Sequence, residues 1–280
     1  MSHFTVMVIG ENPEDLLQPF HEYECTRIED EYVKFVPAEE DIEKEFKEQD
    51  GEDYETIEDF ARDYYGYEQN EEGVWGRMTN PNAKWDWYQL GGRWAGSIIR
   101  LKEGAEGITG EPSWGNPNAE GIDAARKGDI DLDAIKDEAE VKARARYKEV
   151  MDCFGGTLPV LDFTWEELTA DETLDWDEKR TKYRNQPAMV EVNSHTDVLG
   201  HFFELKDFQC TLEEFVERKR NDAFATFAVI KDGKWYERGK MGWWACVSDE
   251  KDGGDWNKEQ QDLLADVDDD ELISIYDCHI

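Results

Sequence analysis

Histidine and cysteine side chains lie beside carboxylates in separate parts of the 280-residue chain. Residues 21–25 read HEYEC, residues 277–279 read DCH, and a further histidine adjoins the first apolar run. Side chains of these types ligate zinc or transfer protons in active sites. If the protein is an enzyme, we predict that the chemistry is carried by His3, His21, Cys25, Cys278 and His279.

The positions of these groups depend on the strands that carry them. Residues 4–9 (FTVMVI) and 272–276 (LISIY) are apolar runs typical of buried strands. If those two strands are neighbours, His3 and His279 approach each other. Cys278 does not pair with the adjacent histidine, because successive side chains of a strand point to opposite faces. A structural role, a metal site and acid–base or nucleophilic catalysis all remain open for this set.

Aromatic residues are densest in residues 80–94, which read NPNAKWDWYQLGGRW and are called here the aromatic motif. Strict alternation along a strand places Trp85 and Trp87 on one face, and Asp86 and Tyr88 on the other. Tryptophan and tyrosine are common anchors in binding surfaces. We predict a binding surface made of Trp85, Asp86, Trp87, Tyr88, Arg93 and Trp94. The alternative is an aromatic-lined sheet in which an Arg–Asp pair holds a loop.

The glycine pair of the motif, Gly91 and Gly92, permits a bulge or a close approach of the backbone, and it matches no phosphate-binding loop. Two other features match no metal template. The pattern H-x-D-x-x-x-H at 195–201 lacks a known zinc spacing, and DVDDDE at 266–271 lacks the alternation of an EF-hand loop. We predict neither a cofactor nor a resident metal.

Four segments at both ends and in the centre of the chain are distinctive. They are MSHFTVMVIG at 1–10, HEYECT at 21–26, KWDWYQLGGRW at 84–94 and DCHI at 277–280. Together they resemble a family of uncharacterised bacterial and bacteriophage proteins. The resemblance implies a phage or prophage context. It transfers no catalytic role, because the family has no established activity.

The order of the elements predicts an α+β fold, with a mixed or antiparallel sheet built from N- and C-terminal strands, helices and a large central elaboration. Residues 1–10 and 211–280 are predicted to form the sheet unit, and 11–210 the elaboration or a second domain, unless one domain holds the whole chain. Helices are predicted at 38–48, after Thr56, at 131–151, after capping boxes at Thr164 and Thr211, and at 256–265. Strands are predicted at 97–99, 224–230, 234–237 and 243–247, and a loop at 73–82.

Charge is the strongest compositional signal, because 68 acidic and 31 basic residues give a net charge of −37. Residues 11–72, the first acidic segment, carry 24 acids and 5 bases. Residues 249–280, the second acidic segment, carry 12 acids and 2 bases. This balance excludes direct nucleic-acid binding and docking on an anionic membrane, which need positive charge. An aromatic content of 12% excludes wholesale disorder.

The cysteines point to the compartment. All 5 are widely spaced and none forms a CxxC pair, which indicates free thiols in a reducing cytoplasm. No apolar run reaches the roughly 20 residues of a membrane-spanning helix. With the phage context, we predict that the protein acts in the host bacterial cytoplasm.

Two functions fit these features. The first is a phage-type acidic protein that acts by protein–protein interaction, as an inhibitor of a bacterial antiphage defence complex. Its carboxylates would imitate a phosphate backbone as a DNA mimic, so its partner is predicted to be a nucleic-acid-handling host complex. The second is a small-ligand-binding protein or an enzyme, with a site where the aromatic motif meets the terminal histidines and cysteines. We favour the first and lean against enzymatic activity; a homo-oligomer is compatible with both.

Overall fold

The computed structural model describes residues 2–48, 54–113 and 121–280, and it has an α+β fold, which confirms the predicted class. The strands are β1 (His3–Ile9), β2 (Lys34–Pro37), β3 (Glu68–Gln69), β4 (Trp75–Thr79), β5 (Trp87–Gly92), β6 (Glu111–Pro112), β7 (Ala124–Arg126), β8 (Ala228–Lys231), β9 (Lys234–Glu237), β10 (Lys240–Met241), β11 (Val247–Ser248) and β12 (Leu272–His279).

The helices vary from single turns to one of 22 residues. They are α1 (Pro13–Leu17), α2 (Tyr23–Thr26), α3 (Glu39–Glu48), α4 (Ile57–Asp59), α5 (Leu132–Cys153), α6 (Trp165–Thr169), α7 (Trp176–Asn185), α8 (Pro187–Ser194), α9 (Thr196–Leu199), α10 (Leu212–Asp222) and α11 (Gly253–Ala265). A π-helical turn, Phe60–Tyr64, continues α4, and 3-10 turns occur at Gln18–Phe20, Lys127–Asp129, Leu205–Phe208 and Trp243–Ala245.

The chain divides into two compact units. One consists of Met1–Asp131 with Ala225–Ile280, and the other of Leu132–Phe224. The main sheet belongs to the first unit and has the strand order β6-β5-β12-β1-β8-β9, with β7 also paired to β12. The predicted sheet unit, 1–10 with 211–280, differs in its boundaries from this first unit. The reason is that β5, which lies in the stretch predicted as the elaboration, is a strand of the main sheet.

The terminal strands β1 and β12 are neighbours in the middle of the sheet. They pair antiparallel along their whole length, from His3 opposite His279 to Ile9 opposite Ile273. Alternation then places Phe4 and Cys278 on one face, within a buried apolar cluster. The opposite face is buried as well, since Met7 and Ile275 are also fully buried, which is why both strands read as nearly continuous apolar runs.

Signals that act within a few residues predicted their elements correctly. Thr164 and Thr211 each begin a helix through a complete capping box. The hairpin between β8 and β9 turns at Asp232 and Gly233, whose φ angles of 52° and 70° suit a two-residue turn.

Three predicted elements are wrong. The predicted loop at 73–82 contains β4. Gly76 lies within that strand, and the position needs glycine because a Cβ there would meet the Val36 carbonyl oxygen at 2.3 Å. The predicted strand at 97–99 is replaced by a turn, in which the Ser97 N–H donates to the Trp94 carbonyl at 2.9 Å. The predicted strand at 243–247 is interrupted by Trp244, whose φ of 61° is incompatible with a strand.

The second unit is helical. Its helices α5 and α10 pack together around a buried cluster that includes Val150 and Phe215. The Arg220 guanidinium on α10 donates to the carboxylates of Asp137 and Glu140 on α5 at 3.0 and 2.6 Å. Charged side chains at the edge of this cluster therefore reinforce the contact that the apolar residues create.

Candidate functional site

The structure brings together two of the predicted histidines at one end of the main sheet. His3 on β1 lies opposite His279 on β12, and the two ring centroids are 4.8 Å apart with an interplanar angle of 69°. Trp87 on β5 lies opposite His279, and its ring is 6.0 Å from that of His3. His3 and His279, called here the histidine pair, therefore share one face of the sheet with an indole.

Each histidine of the pair contacts its own carboxylate. His3 Nδ1 is 2.8 Å from Asp277 Oδ1, and His279 Nδ1 is 2.6 Å from Asp86 Oδ1. A carboxylate on Nδ1 holds an imidazole in one orientation and leaves Nε2 for a proton or a ligand. Nε2 of His279 is buried and has no hydrogen-bond partner among the described residues.

Asp277 is fully buried and is shared between two elements. Its Oδ2 accepts a hydrogen bond from the backbone N–H of Arg93 at 2.9 Å. The contact of Arg93 with an aspartate is therefore made by its backbone, and its side chain is exposed. The carboxylate thus joins the end of β5 to the histidine pair.

The glycine pair of the aromatic motif makes this arrangement possible. Gly92 has a φ of 53°, and a Cβ there would lie 2.3 Å from the Cβ of Asp277. Gly91 has a φ of 80°, and a Cβ there would lie 2.5 Å from Oδ2 of Asp123. Both positions need glycine because the backbone is left-handed and a carboxylate side chain packs directly against it.

A second group of polar side chains adjoins Asp86. Ligand atoms of Glu22, Cys25 and Asp86 all lie within 4.8 Å of one another, and these three residues are called here the carboxylate–thiol cluster. The backbone positions them: His21 and Trp85 form a parallel bridge, and the Glu22 N–H donates to the Trp85 carbonyl at 2.6 Å. Glu22 and Cys25 then occupy one helical turn, three residues apart.

The electrostatics of this cluster disfavour a reactive thiolate. Burial, with the nearby Glu22 carboxylate, raises the pKa of the Cys25 thiol. Burial also raises the pKa of Glu22, and repulsion from Asp86 adds to it. Cys278 is fully buried in the apolar cluster, and burial raises the pKa of its thiol far above the usual range. A nucleophilic cysteine would need the opposite shift.

Glu22→Gln is expected to make the protein more stable at pH 7. The raised pKa of Glu22 means that the folded state binds this proton more tightly than the unfolded state, so the charged side chain costs stability above that pKa. The gain should be below about 1 kcal/mol, because the side chain is half-exposed and screened by solvent. It should vanish as the pH falls through the raised pKa and then the unfolded one.

Urea unfolding of the parent and the variant measures this difference, at pH values from about 3.5 to 7 that span the titration of carboxyl groups. Glu29→Gln removes one exposed carboxylate nearby and is the matched control. A stability difference that does not change with pH would contradict the assigned cause.

His21 is not brought to the histidine pair. It is fully buried, and its Nδ1 and Nε2 lie 2.9 and 3.0 Å from the carbonyl oxygens of Gln18 and Ile28. Both ring nitrogens are thus engaged with the backbone of the segment that carries Glu22 and Cys25. His21 therefore ties together the backbone before and after Glu22 and Cys25, and it acts as a positioning residue.

The aromatic motif divides between core and surface. Trp85 is 3% exposed, its Nε1–H donates to the Leu17 carbonyl at 3.0 Å, and its ring packs on Tyr88. The predicted alternation is wrong here, because β5 begins only at Trp87 and the preceding residues do not follow a strand. Trp87 is 43% exposed, Arg93 is exposed and Trp94 is half-buried, so these three remain accessible to a ligand or partner.

Three residues of this region were absent from the predicted site: Glu22, Asp123 and Asp277. Asp277 accepts from His3, Asp123 accepts from the backbone N–H groups of Gly96 and Gly110 at 2.8 and 3.0 Å, and Glu22 belongs to the cluster. The predicted strand ended at residue 276, whereas β12 continues to His279, and residues i and i+2 of a strand share a face. A longer predicted strand would have placed Asp277 on the face of His279.

The chain was compared with protein-family models, curated proteins and solved structures, and none of these comparisons found a significant match. None of the helices that the structure describes is both long and apolar enough to cross a membrane.

Proposed function

We propose that the protein acts by binding another protein through its acidic surface, as an inhibitor of a bacterial antiphage defence complex. The observation that carries this proposal is that the two acidic segments meet on the first unit. The resemblance of its sequence motifs to bacterial and bacteriophage proteins supplies the biological context.

The meeting point lies where β1 ends and β12 begins. The Arg126 guanidinium pairs with the Glu11 carboxylate and donates to the Asp270 carbonyl oxygen at 2.9 Å. The Gly10 N–H donates to the Leu272 carbonyl at 2.9 Å. Four exposed acids of both segments form what is called here the acidic corner: Glu11, Asp268, Asp269 and Asp270.

A second exposed acidic surface belongs to the first acidic segment alone. Helix α3 packs Ile42 into a small cluster with Phe60 and Ala61, and its first turn is acidic. Glu39, Glu40 and Asp41 are all exposed in that turn. Carboxylates fixed on a folded surface attract a basic groove over a long range and speed association at low salt. This is the property that an inhibitor needs to compete with nucleic acid.

Neutralising the acidic corner is expected to weaken the inhibitor. The variant carries Glu11→Gln, Asp268→Asn, Asp269→Asn and Asp270→Asn. Removing four charges from one place should slow association with a basic partner by about tenfold at low salt, and less as salt is added. The measurement is displacement of a labelled DNA duplex from purified antiphage nuclease complexes, with phage plating on strains that carry the same complexes.

The matched control removes the same charge from the second unit, through the exposed residues Glu172→Gln, Glu191→Gln, Asp197→Asn and Glu213→Gln. Equal effects of the two variants would show that net charge alone matters, and the acidic corner would lose its role. Failure of the parent protein to displace DNA or to rescue phage plating with any complex would refute the proposed function.

A second candidate function is a small-ligand site or an enzyme, and one observation favours it. The histidine pair, with Asp86 and Asp277, places two imidazole–carboxylate pairs beside the exposed Trp87. Such pairs support proton transfer when a ligand lies within hydrogen-bond reach. Fragment binding followed by NMR would test this candidate, with His3 and Trp87 as the expected reporters.

A further inference from the structure

We propose that the carboxylate–thiol cluster of Glu22, Cys25 and Asp86 is a binding site for a divalent transition metal of the zinc class. This site is independent of the acidic surface on which the proposed function rests. The juxtaposition that carries it is the convergence of a thiol and two carboxylates from separate parts of the chain within 4.8 Å of one another.

The ligand types select the class of metal. A cysteine sulfur and carboxylate oxygens are both ligands of Zn²⁺, whereas Mg²⁺ and Ca²⁺ take oxygen ligands only. A thiolate ligand also favours Zn²⁺ over divalent cations that prefer oxygen ligands. Three protein ligands leave one position of a tetrahedral site free, as in catalytic zinc centres. The site would therefore bind a water molecule or a small anionic ligand at the metal.

The second observation comes from His279, which lies outside the cluster. Its Nδ1 is 2.6 Å from Asp86 Oδ1, so it holds one oxygen of that carboxylate while the cluster uses the group as a ligand. Hydrogen bonds of this kind orient metal ligands and are a regular part of metal sites. The contact to Asp86 is made by Nδ1 alone, so His279 would act on the site through that carboxylate rather than as a ligand.

The local charge also calls for a cation. Glu22, Asp86 and a ligating thiolate would place three negative charges close together. The Arg77 guanidinium lies near, but its Nε contacts the Glu24 carboxylate at 3.3 Å. A divalent cation would neutralise most of this negative charge, whereas the acidic residues around the cluster add to it.

The test is titration of the full chain with Zn²⁺ by calorimetry, in the presence of excess Mg²⁺ to occupy surface carboxylates. One equivalent of zinc is expected to bind. Co²⁺ in place of zinc should show the near-ultraviolet absorption of thiolate ligation. Cys25→Ser is expected to weaken binding by more than the roughly 10- to 100-fold that loss of an outer-shell partner costs, and His279→Ala by about 10- to 100-fold.

The matched control is Cys246→Ser, which removes another exposed free cysteine and should leave zinc affinity unchanged. Near-ultraviolet circular dichroism checks that each variant is folded. The proposal is overturned if Cys25→Ser binds zinc like the parent, if Cys246→Ser has the same effect as Cys25→Ser, or if bound cobalt shows no thiolate absorption. A failure of this site would leave the acidic-surface function untouched.

Discussion

Trp85→Ala is expected to lower the free energy of unfolding by about 3–5 kcal/mol. The indole is 3% exposed, and it packs in the apolar cluster beneath β1, β5 and β12. Its removal would leave a large cavity and would also orphan the Leu17 carbonyl, which accepts from Nε1 at 3.0 Å. Urea unfolding followed by far-ultraviolet circular dichroism would measure the loss.

Trp87→Ala is the matched control, because it removes the same side chain two residues further along. Trp87 is 43% exposed, so its loss should cost about 1 kcal/mol or less, in the range of a cross-strand pair. If the two variants lost equal stability, Trp85 would not be the core residue of the motif. A binding defect of Trp85→Ala should be interpreted only after its stability is known.

Gly92→Ala is expected to cost about 4 kcal/mol or more, which few single substitutions do. Its φ of 53° is unfavourable for alanine, and the new Cβ would lie 2.3 Å from the Cβ of Asp277. That side chain is fully buried and is held by His3 and the Arg93 backbone, so it has no room to move. Thermal or urea unfolding of the purified variant would show the effect, together with reduced soluble yield.

Gly66→Ala separates the two causes. Gly66 has a φ of 68°, and a Cβ there would have no atom within 4 Å. This variant should therefore cost only the left-handed backbone strain, about 1–2 kcal/mol. If Gly92→Ala cost no more than Gly66→Ala, the close approach to Asp277 would not be a constraint on the fold.

Elements defined by local contacts could be predicted from the sequence. The capping boxes at Thr164 and Thr211 and the Asp232-Gly233 turn each act within four residues, so neighbouring letters contain the whole signal. Elements defined by distant partners could not. Gly76 indicates a loop when considered alone, and only the approach of β2 explains why it lies in a strand.

The candidate site shows the same limit. The approach of His3 to His279 followed from two apolar strands, and the structure has it in the register of β1 and β12. The approach of Asp86 to His279 depends instead on Trp85 entering the core before β5 begins. Packing beneath the sheet determines where Trp85 lies. Strict alternation along the motif therefore assigned Trp85 and Asp86 to the wrong faces.

The central position of β1 and β12 has a consequence for synthesis of the protein. Residues 3–9 leave the ribosome long before residues 272–279, so β1 waits for its antiparallel partner while all the intervening residues are synthesised. During that time the backbone N–H and C=O groups on one edge of β1 have no partner, and such an edge is prone to pair with other chains. Closing so long a loop is also slow. A chaperone that covers unpaired strands is therefore expected to help this chain most before β12 has been synthesised.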